Sequence, residues 1–166
     1  MTAVRSEHSG DVTAIHAVNV AAFPTSAEAL LVDRLRARDD LVLSLVAEHG
    51  REIVGHAAFS RIVIERDGAP GRAVALAPIA VLPQHQRKGI GTALIERGLA
   101  LLDGTGEVAV FVLGDPAYYS RFGFTVVEAA RFTSEYSGPY LQARRLGDQI
   151  AAPGRLRYSS AFAALG

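Results

Sequence analysis

The 166-residue chain contains no cysteine, and its charges of opposite sign cancel. Without cysteine there are no disulfides, no thiolate zinc sites and no cysteine nucleophile. The 17 basic and 17 acidic residues leave a formal net charge of zero, so no global field attracts nucleic acid or an anionic membrane. Any site for an anion must therefore be local.

Long apolar runs are also missing. Charges, glycine or proline interrupt every run before it reaches the roughly 18 apolar residues of a membrane-spanning helix. Residues 1–8 turn polar at once, without the apolar core of a signal peptide. We therefore expect a soluble, cytoplasmic protein that binds neither membrane nor nucleic acid. With 49% apolar residues, we expect residues 1–166 to form a single domain.

Two helices are predicted near the start of the chain. Apolar residues recur at helical spacing up to Phe23, and Asp11 precedes them as a cap. A second helix is expected after Pro24, because Thr25 and Glu28 stand in the spacing of a capping box.

Strands are predicted at residues 2–5, 41–45, 53–64 and 72–82. The last three, separated by turn signals, should form an antiparallel meander. Pro78 cannot donate a ladder hydrogen bond. Its strand should therefore be an edge, or part from its neighbour at that point.

A crossover helix and a parallel strand are predicted next. The helical period is clear from Gly91 to Asp103, and Gly98 on the apolar stripe can permit close approach to a sheet. Residues 108–113 form a continuous apolar run, typical of a strand buried on both faces. Strand, helix and strand make a βαβ unit, so the strand at 72–82 and this one should be parallel.

The last third carries weaker signals. A short helix is predicted at 116–122, and two closing strands at 140–146 and 156–159. Residues 128–138 match no pattern.

The segment Gln86-Arg87-Lys88-Gly89-Ile90-Gly91, between strand and helix, carries the chemistry. Two glycines at a helix start leave backbone N–H groups uncovered, and the helix dipole adds positive potential. Arg87 and Lys88 place two positive charges at the same end. This pattern predicts a diphosphate site. The alternative is a tightly packed helix start with two solvated bases.

Two common nucleotide-binding loops do not fit this segment. A dinucleotide fingerprint needs a third glycine where Leu94 stands. A Walker A loop needs lysine after its glycine, followed by serine or threonine, whereas Lys88 precedes Gly89.

The segment resembles the signature Gln/Arg-x-x-Gly-x-Gly/Ala of the GNAT superfamily of acyl-CoA N-acyltransferases. The preceding Ile79-Ala80-Val81-Leu82-Pro83 is similar to that family's strand entry. Tyr118-Tyr119-Ser120-Arg121-Phe122-Gly123-Phe124 resembles its Tyr-x-x-x-Gly-Phe segment, with Tyr119 at the tyrosine. Residues 113–119 further resemble a bacterial subgroup of predicted N-acetyltransferases of unknown substrate. Three separate motifs in the order that the family has indicate it more specifically than any single motif does.

The resemblance implies an α/β (α+β) fold with a mixed, mostly antiparallel central sheet and helices on both faces. The fourth and fifth strands would splay apart around the acyl-CoA arm, in line with Pro78. Acetyl-CoA would be the co-substrate, without a metal, and the acceptor a small-molecule or peptide amine; a homodimer is compatible with this. The implied cofactor-binding residues are Ile79, Ala80, Val81, Gln86, Arg87, Lys88, Gly89, Ile90, Gly91, Thr92 and Tyr119.

The catalytic residues are less evident. The resemblance implies that Tyr119 protonates the departing thiolate; the alternative is core packing. Many family members carry a carboxylate on the fourth strand, but residues 73–82 contain none. His56 is the candidate base, unless it is merely hydrogen-bonded in its strand. Glu28 either lines the acceptor site or caps its helix.

The missing strand carboxylate leaves a second function open. An acyl-CoA-binding regulatory domain without turnover would keep the loop and dispense with the base. The acceptor itself cannot be read from the sequence.

Overall fold

A computed structural model describes residues 1–148 and 150–165. These residues fall into two compact units. The first unit comprises Met1–Ser60, Ala77–Gly98 and the chain from Ser159 onward, and the second comprises Arg61–Leu76 and Leu99–Tyr158. The single domain expected for residues 1–166 stays a prediction.

The described residues form seven strands and five α-helices. The strands are β1 (Thr2–Ser6), β2 (Leu41–His49), β3 (Glu52–Glu65), β4 (Gly71–Val81), β5 (Ala109–Leu113), β6 (Leu141–Arg145) and β7 (Arg155–Tyr158). The helices are α1 (Val12–Ala22), α2 (Ala27–Ala37), α3 (Ile90–Leu102), α4 (Pro116–Tyr119) and α5 (Val126–Ala129). Short 3-10 turns precede α1 and α3 and follow α4 and β7.

The strands form one sheet in the order β1-β2-β3-β4-β5-β6, and β7 pairs with β3. The pairs β1–β2, β2–β3, β3–β7 and β5–β6 are antiparallel, whereas β4 and β5 are parallel. The predicted βαβ unit and the mixed sheet are confirmed.

Pro78 lies in a strand with a neighbour on each side, so the edge position considered for it is wrong. The parallel register of β4 and β5 consists of Val74 opposite Val110 and Ala75 opposite Phe111. Both pairs precede Pro78. The other prediction, that the strand parts from its neighbour at the proline, agrees with this short register.

A buried cluster in the first unit joins α1 and α2 to the sheet. Its members are Ile15, Val18, Val32, Val46, Ile53 and Ala80, and Ala14, Ala22, Phe23 and Leu82 pack against it. The end of α1, one face of α2 and the end of β4 therefore share a single core.

Gly98 permits the close approach that its place on the apolar stripe predicts. A Cβ added to Gly98 would lie 2.2 Å from Cζ of Phe59 on β3. At Gly55, also on β3, a Cβ would meet Ile90 and Leu94 of α3. Glycines on both elements thus bring α3 against the sheet.

Neither predicted helix cap forms as expected. Asp11 precedes α1, but its carboxylate accepts from the N–H of His8 and pairs with Arg5 instead of capping α1. The capping box of α2 is also absent: Thr25 Oγ1 accepts from the N–H of Ala27, and the side chain of Ser26 makes no cap bond. Glu28 is therefore left without the capping role.

The unassigned segment 128–138 contains the end of a helix. Thr125 caps α5 by accepting from the N–H of Glu128. The two closing strands are present: β6 pairs with β5, and β7 pairs with β3.

Candidate active site

The loop before α3 presents free backbone donors to solvent. Arg87 and Gly89 both have left-handed backbone, with φ of 63° and 82°, and this turns the chain sharply into the helix. In the part of the chain that the structure describes, the N–H groups of Arg87, Lys88 and Gly89 donate to no backbone acceptor. The side chains of Arg87 and Lys88 are exposed.

The glutamine of the motif holds this loop to the preceding strand. Nε2 of Gln86 donates to the carbonyl of Val81 at 3.0 Å, while the N–H of Leu82 donates to the carbonyl of Val54 at 2.9 Å. Ile79 and Val81 are partly exposed and Ala80 is buried. The first unit therefore brings the last residues of β4 and the loop at 86–92 together.

This arrangement fits a diphosphate. The free N–H groups, the positive end of a 13-residue helix and two exposed cationic side chains converge on one short loop. An added Cβ at Gly89 would meet no atom, so the open space beside the loop is accessible to a ligand.

His56 lies at the centre of a buried polar chain. Nδ2 of Asn19 donates to the carbonyl of Ile15 and lies 3.2 Å from Nδ1 of His56. Nδ1 is therefore the accepting nitrogen, and Nε2–H donates to Oγ of Ser44 at 2.9 Å. The histidine is fully buried, and both of its ring nitrogens have partners.

Burial lowers the pKa of His56 to about 4. The charge of Glu7 has a smaller raising effect on this pKa, and the charge of Arg36 has a smaller lowering effect. The ring is accordingly neutral at physiological pH and a weak proton acceptor. Asn19 and Ser44 were not singled out as functional from the sequence. The available signal was an asparagine on the core-facing stripe of a predicted helix.

We expect the free energy of unfolding to decrease as pH falls through the range set by His56. The unfolded chain takes up a proton near the ordinary pKa of about 6.5, whereas the folded chain resists it until about pH 4. Through this group, about 2 kcal/mol of stability should be lost between pH 7 and pH 5. Urea denaturation at the two pH values measures the loss.

His56→Gln is the control, because glutamine keeps hydrogen-bonding groups and does not titrate. Hydrogen bonding to Arg5 lowers the pKa of Asp11 to about 2, so this carboxylate contributes only at lower pH. Equal losses of stability in the wild-type protein and the glutamine variant would show that His56 titrates normally.

Tyr119 lies in the second unit, at the end of α4. Asp115 begins this helix by accepting from the N–H of Ala117, as its position after β5 suggests. The Tyr119 ring packs on Gly114, where an added Cβ would lie 2.5 Å from Cε2, and stands edge-on to Phe124. Burial raises the pKa of Tyr119 to about 12, so its hydroxyl carries a proton at physiological pH.

Tyr118 has a different environment. Its ring stands at 85° to that of Tyr119, and the guanidinium of Arg121 lies 4.7 Å from its centroid. Phe122 contacts it edge-on. The two tyrosines are therefore chemically identical side chains with different neighbours, so that each can be a control for the other.

Comparison with known proteins places the chain in a family. The family model described as an acetyltransferase (GNAT) domain matches residues 41–126. The N-acetyltransferase YhbS of Escherichia coli K12 is 35% identical over 148 residues, which cover 87% of each chain. The chain belongs to the GNAT acetyltransferase family.

Solved structures of GNAT proteins agree. Escherichia coli YhbS in complex with CoA superimposes with a TM-score of 0.90 and 33% identity, over 99% of this chain and 93% of that one. A GNAT acetyltransferase of Brucella melitensis in complex with acetyl-CoA has a TM-score of 0.81 and 36% identity, over 98% of both chains. The predicted GNAT fold is confirmed, and so is the enzyme class of acyl-CoA-dependent N-acyltransferases. An inactive regulatory domain is not favoured.

The described part of this GNAT protein has neither a membrane-spanning helix nor a cluster of metal-ligating side chains. None of its helices is both long and apolar enough to cross a membrane. Within residues 1–148 and 150–165, no group of three or more histidine, aspartate and glutamate side chains is arranged to hold a metal ion.

Proposed function

We propose that this protein transfers an acetyl group from acetyl-CoA directly to a primary amine, with residues 1–166 acting as one catalytic domain. The observation that carries the proposal is the loop before α3, with its free N–H groups and exposed bases. The CoA and acetyl-CoA in the structures of the two relatives support the same ligand here.

The loop residues Gln86 to Thr92 hold the pyrophosphate in this proposal. Backbone N–H groups donate to its oxygens, and Arg87 and Lys88 add charge. Hydrogen bonds to charged groups contribute roughly 1.5–3 kcal/mol each, so several of them suffice for a firm anchor. Ile79, Ala80 and Val81 hold the pantetheine arm with backbone groups and stabilise the negative charge that develops on the thioester oxygen.

Acetyl-CoA supplies an activated acyl carbon. A neutral amine attacks that carbon, a C–N bond forms, the C–S bond breaks, and the thiolate needs a proton. Tyr119 donates this proton, since its raised pKa keeps the hydroxyl protonated. The amine gives up its extra proton to a base or to solvent water as the amide forms, and solvent returns a proton to Tyr119 after CoA has left.

His56 remains the sequence-based candidate for receiving the amine's proton. Its burial and its two hydrogen bonds favour a different contribution, the fixing of α1 against β2 and β3. Both ring nitrogens already have partners, and the low pKa opposes the uptake of a proton.

We expect no acyl-enzyme in this reaction. The chain has no cysteine, and it lacks the Gly-x-Ser-x-Gly elbow that would supply a serine nucleophile. Intact-mass spectrometry after incubation with acetyl-CoA alone should show unmodified protein. With a pool of primary amines added, acetylated amine and free CoA should appear in equal amounts.

A stoichiometric acetyl adduct that forms and discharges at the turnover rate would contradict direct transfer. Binding of acetyl-CoA without release of CoA in the presence of any amine would instead favour the regulatory function.

A further inference from the structure

Gln142 is a buried amide near the end of the β5–β6 pair. It lies on β6 opposite Val112 of β5, and its exposed fraction is 0%. Glutamine is mostly found at the surface, and burying its amide costs free energy unless the polar atoms are hydrogen-bonded. An apolar side chain of similar size would fill this position without that cost. The hydrogen bonds of Gln142 must therefore explain its presence in the core.

The amide nitrogen of Gln142 joins two backbone carbonyls beyond the end of β5. Nε2 donates to the carbonyl of Gly114 at 3.0 Å and to that of Tyr140 at 3.2 Å. The carbonyl of Tyr140 also accepts from the N–H of Gly114 at 3.1 Å. Because both partners of the side chain are acceptors, its NH₂ group must face them. Oε1 faces elsewhere, and among the described residues it has no hydrogen-bond partner although it is buried.

The carbonyl of Gly114 belongs to the peptide that leads into α4. The next residue, Asp115, caps α4 with its side chain, and its carbonyl accepts from the N–H groups of Tyr118 and Tyr119. With four residues, α4 is too short to be stable by itself. The direction in which α4 leaves β5 therefore depends on the peptide that Gln142 holds.

Gly114 also contacts the ring of Tyr119. An added Cβ at Gly114 would lie 2.5 Å from Cε2 of that ring, so the ring packs directly on the backbone. A rotation of the Gly114 peptide would displace the ring together with the helix. Gln142 thus acts on Tyr119 through the start of α4 and through the surface on which the ring packs. All of these residues lie in the second unit.

From these contacts we infer that Gln142 is a positioning residue, which holds the Tyr119 hydroxyl where it can protonate the departing thiolate. This inference rests on the proposed function, which assigns the proton donation to Tyr119. A displacement of about 1 Å at a reacting group can lower a rate by about 100-fold. The alternative is that Gln142 only stabilises the end of the sheet.

The two roles differ in how Gln142→Met combines with Tyr119→Phe. Methionine keeps the length of the side chain and removes both donated hydrogen bonds. We expect turnover to fall by about 10–100-fold in the wild-type background, with unchanged affinity for acetyl-CoA. In the Tyr119→Phe background the substitution should cause no further loss, because the hydroxyl that it misplaces is already absent. A merely structural role predicts the same loss in both backgrounds.

Two further variants control for stability. Leu146→Ala removes buried apolar contacts directly after β6, so it should lower the Tm and keep turnover at 25 °C near that of the wild type. Gln142→Leu also lacks both donors and should repeat the result of Gln142→Met.

The place of the Tyr119 ring is measured by ¹⁹F NMR of protein that carries 3-fluorotyrosine at its five tyrosines. Gln142→Met should shift the Tyr119 resonance, which is identified by its loss in Tyr119→Phe. The resonances of Tyr136 and Tyr158, which pack edge-on against each other, should not move. Gly114→Ala is the positive control, because its new Cβ would displace the ring.

An unchanged Tyr119 resonance in Gln142→Met, equal rate losses in the two backgrounds, or weaker binding of acetyl-CoA would each overturn the inference. If Tyr119→Phe still lowers turnover strongly in that case, the proposed function stays in place. Turnover retained in Tyr119→Phe alone would instead remove Tyr119 from the proposed function, and the role of Gln142 with it.

Discussion

Replacing Gly89 by glutamate is expected to weaken acetyl-CoA binding by more than about 100-fold and to leave the fold in place. The new side chain would enter the open space beside the loop and put a negative charge next to the pyrophosphate. Loss of two charge-assisted hydrogen bonds, at about 1.5 kcal/mol or more each, already accounts for this factor. Calorimetric titration measures the affinity, and circular dichroism measures the fold.

The left-handed backbone of Gly89 makes a matched control necessary. A non-glycine residue with this conformation costs roughly 1–3 kcal/mol, whatever its charge. Gly104, after the C-terminal end of α3, also has left-handed backbone, with φ of 78°, and open space around an added Cβ. Gly104→Glu should therefore lose similar stability and keep its affinity for acetyl-CoA. Undiminished affinity in a folded Gly89→Glu protein would remove the loop from the site.

The loop could be predicted from the sequence because its chemistry is local. Free N–H groups at a helix start depend on the few residues around Gly89, and these are contiguous. The βαβ unit could be predicted for the same reason, since a parallel crossover follows from the order of elements. In both cases the chain neighbours determine the geometry.

Features that depend on distant residues could not be predicted. Nothing in residues 155–158 specifies β3 as the partner of β7, because the pairing joins segments about 90 residues apart. The partners of His56 come from α1 and β2, so neither its low pKa nor its buried state could be read from its own strand. Pro78 predicted that its strand lacks one hydrogen-bond donor. It could not predict how many strands lie beside β4.

The caps show a local rule overridden by tertiary contacts. Asp11 stands where a cap is expected, but the guanidinium of Arg5 on β1 is the stronger partner at 2.7 Å. For Glu28 the spacing was that of a capping box, but the half-buried side chain makes no cap bond and its Oε1 has no partner. Conflicts of this kind between a local pattern and the fold mark positions that deserve a functional test.

Replacing Tyr119 by phenylalanine is expected to lower turnover by about 10²–10⁴-fold, the usual loss when a positioned general acid is removed. The ring keeps its contacts with Gly114 and Phe124, so stability and acetyl-CoA affinity should change little. The pKa of about 12 keeps the hydroxyl protonated, and Tyr119 should therefore impose no alkaline limit on the rate below about pH 10.

Tyr118→Phe removes the same atom from the adjacent residue and keeps the ring that faces Arg121, so its turnover should stay near that of the wild type. Release of CoA with a pool of primary amines measures both variants. Small and equal losses of turnover in the two variants would show that both tyrosines only pack in the core. Another group would then have to protonate the thiolate.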